Sequence, residues 1–163
     1  MDATCANFRL LMRSEELPAA LFRGLLKDLE SAYNSVAVLQ VEPAGRRLRK
    51  KEKLSIRQIV SPEAVEIIFG GMPAAFVILD VAMEYLKKLW DQRKAYFDSE
   101  RGVWVAEIGK RDFKKLPAND SSDVVRFSAA MAADIFSLFE RIEKARSIRS
   151  LEFQFSSRSL AVK

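Results

Sequence analysis

Apolar residues in this 163-residue chain change their spacing along its length, and the change limits the architectures open to it. Between residues 15 and 40, Leu17, Leu21, Leu25, Leu29, Ala32, Val36 and Leu39 recur at steps of three and four, the period of one helix face. Phe22, Leu26 and Tyr33 widen that stripe. Ser14 offers a hydroxyl cap, and Glu15 and Glu16 suit the positive end of the helix dipole. Pro18 falls in the first turn, where its missing N–H costs little.

Beyond Pro43, Ala44 and Gly45 the period shortens. Residues 54–60 and 64–69 are rich in β-branched side chains and are separated by Ser61, Pro62 and Glu63, which predicts two strands joined as a hairpin. Gly70-Gly71-Met72-Pro73 reads as a tight turn that opens a second helix over residues 73–97, with Phe76, Leu79, Met83, Leu86 and Trp90 on one stripe. A further strand is expected over 103–108 and a loop over 110–120. A third helix, capped by Ser121, Ser122 or Asp123, carries Val124, Phe127, Met131, Ile135, Leu138 and Ile142 and ends near Ser147. Phe8 to Met12 suggest an opening strand. Leu151, Phe153 and Phe155 alternate with polar residues, as in a half-buried strand.

The order is therefore βαββα(β)αβ in one domain spanning residues 1–163. The expected fold class is α+β, a two-layer sandwich with a mainly antiparallel sheet and three helices on one face. Its first half matches the split βαβ arrangement of ferredoxin-like folds. Many functions use that architecture, so function has to be argued from sites.

Composition removes several chemistries. The chain has no histidine and one cysteine, Cys5. It therefore cannot build a Ser-His-Asp or Cys-His nucleophile, a histidine-bearing zinc site, an internal disulfide or a multi-cysteine metal site. Cys5 reads as a small apolar residue near a chain end. Residues 72–83 are the most apolar stretch, but Asp80 interrupts them and they are too short to span a bilayer. Cysteine usage and the absence of an export signal in residues 1–13 lead us to expect a cytoplasmic protein.

The net charge of +5 is unevenly placed. Arg46, Arg47, Arg49, Lys50, Lys51 and Lys53 stand against Glu42 and Glu52, a local +4 in a chain otherwise nearly neutral. These six bases are the candidate polyanion contact, able to grip phosphates of nucleic acid or anionic lipid with a strong salt dependence. An RNA-recognition sheet also needs aromatics on its central strands, and here only Phe8 and Phe69 are offered.

Asp80, Glu84 and Asp91 are the strongest enzymatic candidates, since Asp80 and Glu84 lie one helical turn apart and could share a hard cation. With Lys87, Lys88 and Lys94 beside them they read better as a solvated polar stripe, Glu84 and Lys88 forming a four-residue pair. Asp134 is expected on the exposed side of its helix. The Gly70-Gly71 turn matches neither phosphate-loop pattern, and Pro73 removes an amide donor. No catalytic residue, metal ligand or cofactor is assigned. The helix beginning Phe76-Val77-Ile78-Leu79 is apolar on almost every side, which calls for cover by the third helix or by a second protein.

Phe22-Arg23-Gly24-Leu25-Leu26-Lys27-Asp28-Leu29-Glu30-Ser31-Ala32-Tyr33-Asn34 resembles the first helix of small bacterial α+β proteins of conflict and defence systems. Leu54-Ser55-Ile56-Arg57-Gln58-Ile59-Val60-Ser61-Pro62-Glu63, with residues 65–71, is similar to their next two strands. The same succession is similar to the N-terminal α/β-sandwich domain of the TNF-receptor death-domain adaptor. The resemblance covers residues 15–90 and implies a non-catalytic adaptor, able to oligomerise and to recruit a protein partner. Nucleic-acid binding through residues 46–53 is the alternative.

Overall fold

The computed structural model describes residues 7–60, 64–93, 95–100, 103–106, 129–156 and 158–163. Strand β1 (Phe8–Ser14) leads into helix α1 (Ala19–Ala37), and a segment with one 3₁₀ turn at Lys50–Glu52 leads on to strand β2 (Ser55–Val60). Strand β3 (Val65–Gly70), helix α2 (Pro73–Asp91), strands β4 (Ala95–Asp98) and β5 (Val103–Ala106), helix α3 (Ala129–Lys144), strand β6 (Ile148–Phe155) and strand β7 (Ser159–Ala161) follow.

Five strands form one antiparallel sheet in the order β2-β3-β1-β6-β7. Strand β3 lies between β1 and β2, which α1 connects, and β1 lies between β3 and β6. Two βαβ units are thus interleaved, and the split arrangement expected for the first half extends to β6. The β4–β5 ribbon pairs separately, from Ala95 opposite Ala106 to Asp98 opposite Val103.

The pleat sorts the side chains. Phe8, Leu10 and Met12 of β1, Ile67 and Phe69 of β3, and Leu151, Phe153 and Phe155 of β6 are buried on the helix side. Arg9, Leu11, Glu66, Glu152 and Gln154 alternate with them on the outer face, as a period of two demands. Phe8 is the hub of an aromatic cluster, with ring centroids 5.1 Å from Phe69, 5.1 Å from Phe155, 5.5 Å from Phe76 and 5.8 Å from Phe153. Burying each such ring contributes on the order of 2 kcal/mol. Helices α1 and α3 pack side by side, and α2 packs against both. Trp90 of α2 stacks on Phe136 of α3 at 6.1 Å and donates its indole N–H to Glu143 at 2.7 Å. The apolar excess of α2 is therefore used largely within the chain, although Val77 stays exposed.

Several boundaries differ from expectation. Ser14 ends β1 instead of capping a helix, and α1 starts at Ala19 with Pro18 as its N-cap and no acid in its first turn. The backbone N–H of Glu15 instead donates to the Ser147 carbonyl, which joins the end of β1 to the turn before β6. Helix α2 stops at Asp91, not Phe97: Arg93 adopts φ 58°, a left-handed terminus usually taken by Gly or Asn, and Ala95–Asp98 becomes a strand. Helix α3 is described from Ala129, while Ser121, Ser122, Asp123, Val124, Phe127 and the 110–120 loop lie outside the described residues. Strand β6 starts three residues earlier than expected. Strand β7 was not anticipated; Leu160 opposite Phe153 continues the inner face. The Lys163 ammonium closes the end of α3 by donating to the Ala145 carbonyl at 2.6 Å.

Candidate functional site

The connection from α1 to β2 is ordered, and one acid organises it. Gly45, at φ 86°, takes a conformation that glycine alone adopts without strain; its N–H bonds the Val38 carbonyl at 2.6 Å and turns the chain. Arg46 then grips Glu52 through two parallel bonds of 2.8 Å, and the Arg49 backbone N–H donates to the same carboxylate at 2.7 Å. The Arg46 guanidinium, followed by the Arg49 N–H, holds the Glu52 carboxyl down to about 2. Leu48 turns inward and is buried. Fork-to-fork pairing of this kind fixes geometry as well as charge.

Tyr33 ties this segment to the body. Its ring is fully buried in α1, its O–H donates to the Glu52 carbonyl at 2.5 Å, and its oxygen accepts the Met72 N–H at 2.8 Å. Burial pushes the phenol above its ordinary value. Met72 belongs to the turn between β3 and α2, so one hydroxyl joins two connections. Gly71 is required beside it: a Cβ there would stand 2.8 Å from the Tyr33 oxygen and 2.9 Å from a Phe76 ring carbon.

The six bases expected to act together are thus divided. Arg46 serves the clamp and also donates to the carbonyls of Glu42 and Arg47. Arg47, Arg49, Lys50, Lys51 and Lys53 are exposed, and among the described residues none of their side chains forms an ion pair.

These five cations lead directly into β2, which lies at the edge of the sheet with all six residues exposed. Register shifts between Ile56 and Gln58: Ile56 opposes Phe69, Gln58 opposes Ile68, and Ile59 opposes Ile67. Arg57 is the extra residue of a bulge, and its guanidinium lies against Gly70. The bulge places Ile56 and Ile59 on the same, helix-facing side. The helices do not reach them, and they remain 42% and 56% exposed. An edge strand also turns half of its backbone N–H and C=O groups away from the sheet.

The carboxylate candidates fare differently. Arg158, from the turn between β6 and β7, lies between Asp80 and Glu84: its Nε and Nη2 each stand 2.7 Å from an Asp80 oxygen, and its Nη1 pairs with Glu84. Burial nonetheless raises the Asp80 carboxyl above its usual range. Asp91 pairs with Lys87, and Lys88 approaches Glu84 at 3.8 Å. Among the described residues no three acids or other ligands gather as a metal cage. Asp134 is half-buried and not on an exposed face as expected. Burial, then the nearby Asp28 charge, lifts it to about 6. Asp28 itself pairs with Arg141 at 3.2 Å across α1 and α3. A hollow of about 420 Å³ opens beside that pair, lined by Leu21, Ser137, Glu140, Arg141, Lys144 and Ala145; its charges are taken up by Lys144–Glu140 and Arg141–Asp28. Cys5 lies outside the described residues.

On the central strands Phe8 and Phe69 both face the helices. The outer face of β1 and β3 carries Arg9 and Glu66, paired at 3.1 Å, with Leu11 and Ile68. No stacking platform exists there. Among the described residues, no helix is long and apolar enough to cross a membrane. Comparisons with protein-family models, with curated proteins and with solved structures returned no match.

Proposed function

We propose that this chain is a non-catalytic protein-interaction module of adaptor type that engages other polypeptides along the β2 edge. One observation carries the reading: a six-residue strand, apolar at Ile56, Ile59 and Val60, is exposed along its whole length in a sheet that buries Phe8, Leu10, Met12, Ile67, Phe69, Leu151, Phe153 and Phe155 on the same inner face as Ile56 and Ile59. Exposed apolar side chains on an unpaired edge are a surface for a second chain. The likeness of residues 15–90 to adaptor domains supports the same reading.

Photo-crosslinking tests it. The full chain carries benzoylphenylalanine in place of Gln58, with a control at Lys88, and is irradiated in cell extract with and without excess unlabelled protein. Saturable protein adducts at position 58 that Ile59→Lys abolishes are the expected result. Nuclease-sensitive adducts would overturn the reading in favour of nucleic-acid binding through Arg47, Arg49, Lys50, Lys51 and Lys53. Adducts equal to those at Lys88 would remove it.

A further inference from the structure

Resting on that reading, we infer that the β2 edge takes an extended acidic segment of a partner protein as a sixth, antiparallel strand, with alternating apolar residues first and an acidic run after them. Three features of the edge specify this ligand. Its outward backbone groups, unpaired among the described residues, recognise any extended chain and supply affinity without reading sequence. Ile56 and Ile59, brought to one side by the bulge, select apolar side chains at alternate positions on the helix-facing side of the added strand. The exposed cations at Arg49, Lys50, Lys51 and Lys53 lie at the Ser55 end alone, so acidic residues must extend past that end.

Strand direction follows. Every pairing in the sheet is antiparallel, and antiparallel pairing is the more stable per residue. A strand laid antiparallel to β2 runs from Val60 towards Ser55, so its apolar half precedes its acidic half. A second copy of this chain is the poorer occupant. Two β2 strands related by a two-fold axis would set Arg57 near its own counterpart, and each cationic segment would lie past the copy's Val60 end, where the sequence offers one acid, Glu63, and no acidic run. Like charges across an edge disfavour that pairing.

The probe is a fluorescein-labelled nonapeptide, Thr-Ile-Thr-Val-Thr-Glu-Asp-Glu-Asp, titrated with the full chain and read by anisotropy, with hydrogen exchange at β2 read in parallel. Saturable binding and new protection of β2 amides are expected. Four exposed ion pairs, each weak alone, make about a tenfold loss when the acids are replaced by Lys. A similar loss is expected when the order of the halves is reversed, when alternate amides of the apolar half are N-methylated, or when Lys50, Lys51 and Lys53 become Glu. No binding, equal binding of the reversed or N-methylated peptide, or equal competition by tetraglutamate or an RNA oligomer would overturn the inference. So would protection, already in the free monomer, of the β2 amides that face away from β3, or a dimer dispersed by Ile59→Lys. If the peptide fails while position 58 still crosslinks to protein, the ligand class is wrong and the module reading stands; if both fail, both fall.

Discussion

Tyr33→Phe should detach the basic segment from the body without disturbing the core. The ring stays where it is, packed 5.7 Å from Phe76, and one oxygen is removed. Two backbone groups then lose their partner: the Glu52 carbonyl, at 2.5 Å, and the Met72 N–H, at 2.8 Å. Each hydrogen bond has a net worth of about 1 kcal/mol, and more where the orphaned group stays dry. The expected loss is therefore about 2–3 kcal/mol. In a domain of this length that lowers the melting temperature by roughly 4–12 °C. Urea unfolding followed by tryptophan fluorescence measures the first quantity. Trypsin measures the second consequence, because Arg47, Arg49, Lys50, Lys51 and Lys53 are its cleavage sites and lie in the segment that Tyr33 pins. Cleavage there should accelerate more than global destabilisation accounts for. A loss below about 0.5 kcal/mol with unchanged cleavage would refute the bridging role and leave the segment to the Arg46–Glu52 pair and the buried Leu48.

Two further outcomes test the polar contacts of the helices. Arg158→Ala leaves Asp80 without its cation and Glu84 with Lys88 alone; urea unfolding at pH 7 should show a loss of about 1–2 kcal/mol, shrinking on acidification as Asp80, already raised by burial, protonates. Asp134 contributes a pH dependence of its own. Its folded value near 6 lies above the ordinary 3.8, so the protonated form favours the fold: its stabilisation is full below about pH 4 and is lost as pH rises through 6. Asp134→Asn should flatten that limb and raise stability at pH 7 by about 1 kcal/mol, the solvent-screened share of the shift; a variant less stable at pH 7 than the parent would contradict the assignment.

Much of the fold was legible because burial leaves a period. The stripe from Leu21 to Val36 required a helix, and Leu151, Phe153 and Phe155 required a strand with one dry face. Misplaced boundaries have identifiable causes. The sequence pattern carries α2 on to Phe97 because residues 92–94 offer neither Gly nor Pro; the left-handed turn falls on Arg93, a residue with no such preference. Ser14 looks like a cap by type, but its backbone is already committed to pairing with β6. The short β7 gave no pattern of its own, since three residues cannot display a period.

The candidate site divides along the same line. Residue types and their order along the chain were enough to set the interleaved helices and strands, the concentration of bases over 46–53, and the exclusion of histidine chemistry. Pairing across the chain decided the rest. Arg46 lost its role as a free cation because Glu52 folds back on it, and Asp80 and Glu84 lost theirs as cation ligands because Arg158 arrives from 74 or more residues away. Ile56 and Ile59, three apart, belong on opposite faces of a regular strand; a bulge at Arg57 sets both on the side the helices leave uncovered. Such features depend on register and on which element ends where, and these are set by contacts between distant segments that no local pattern encodes.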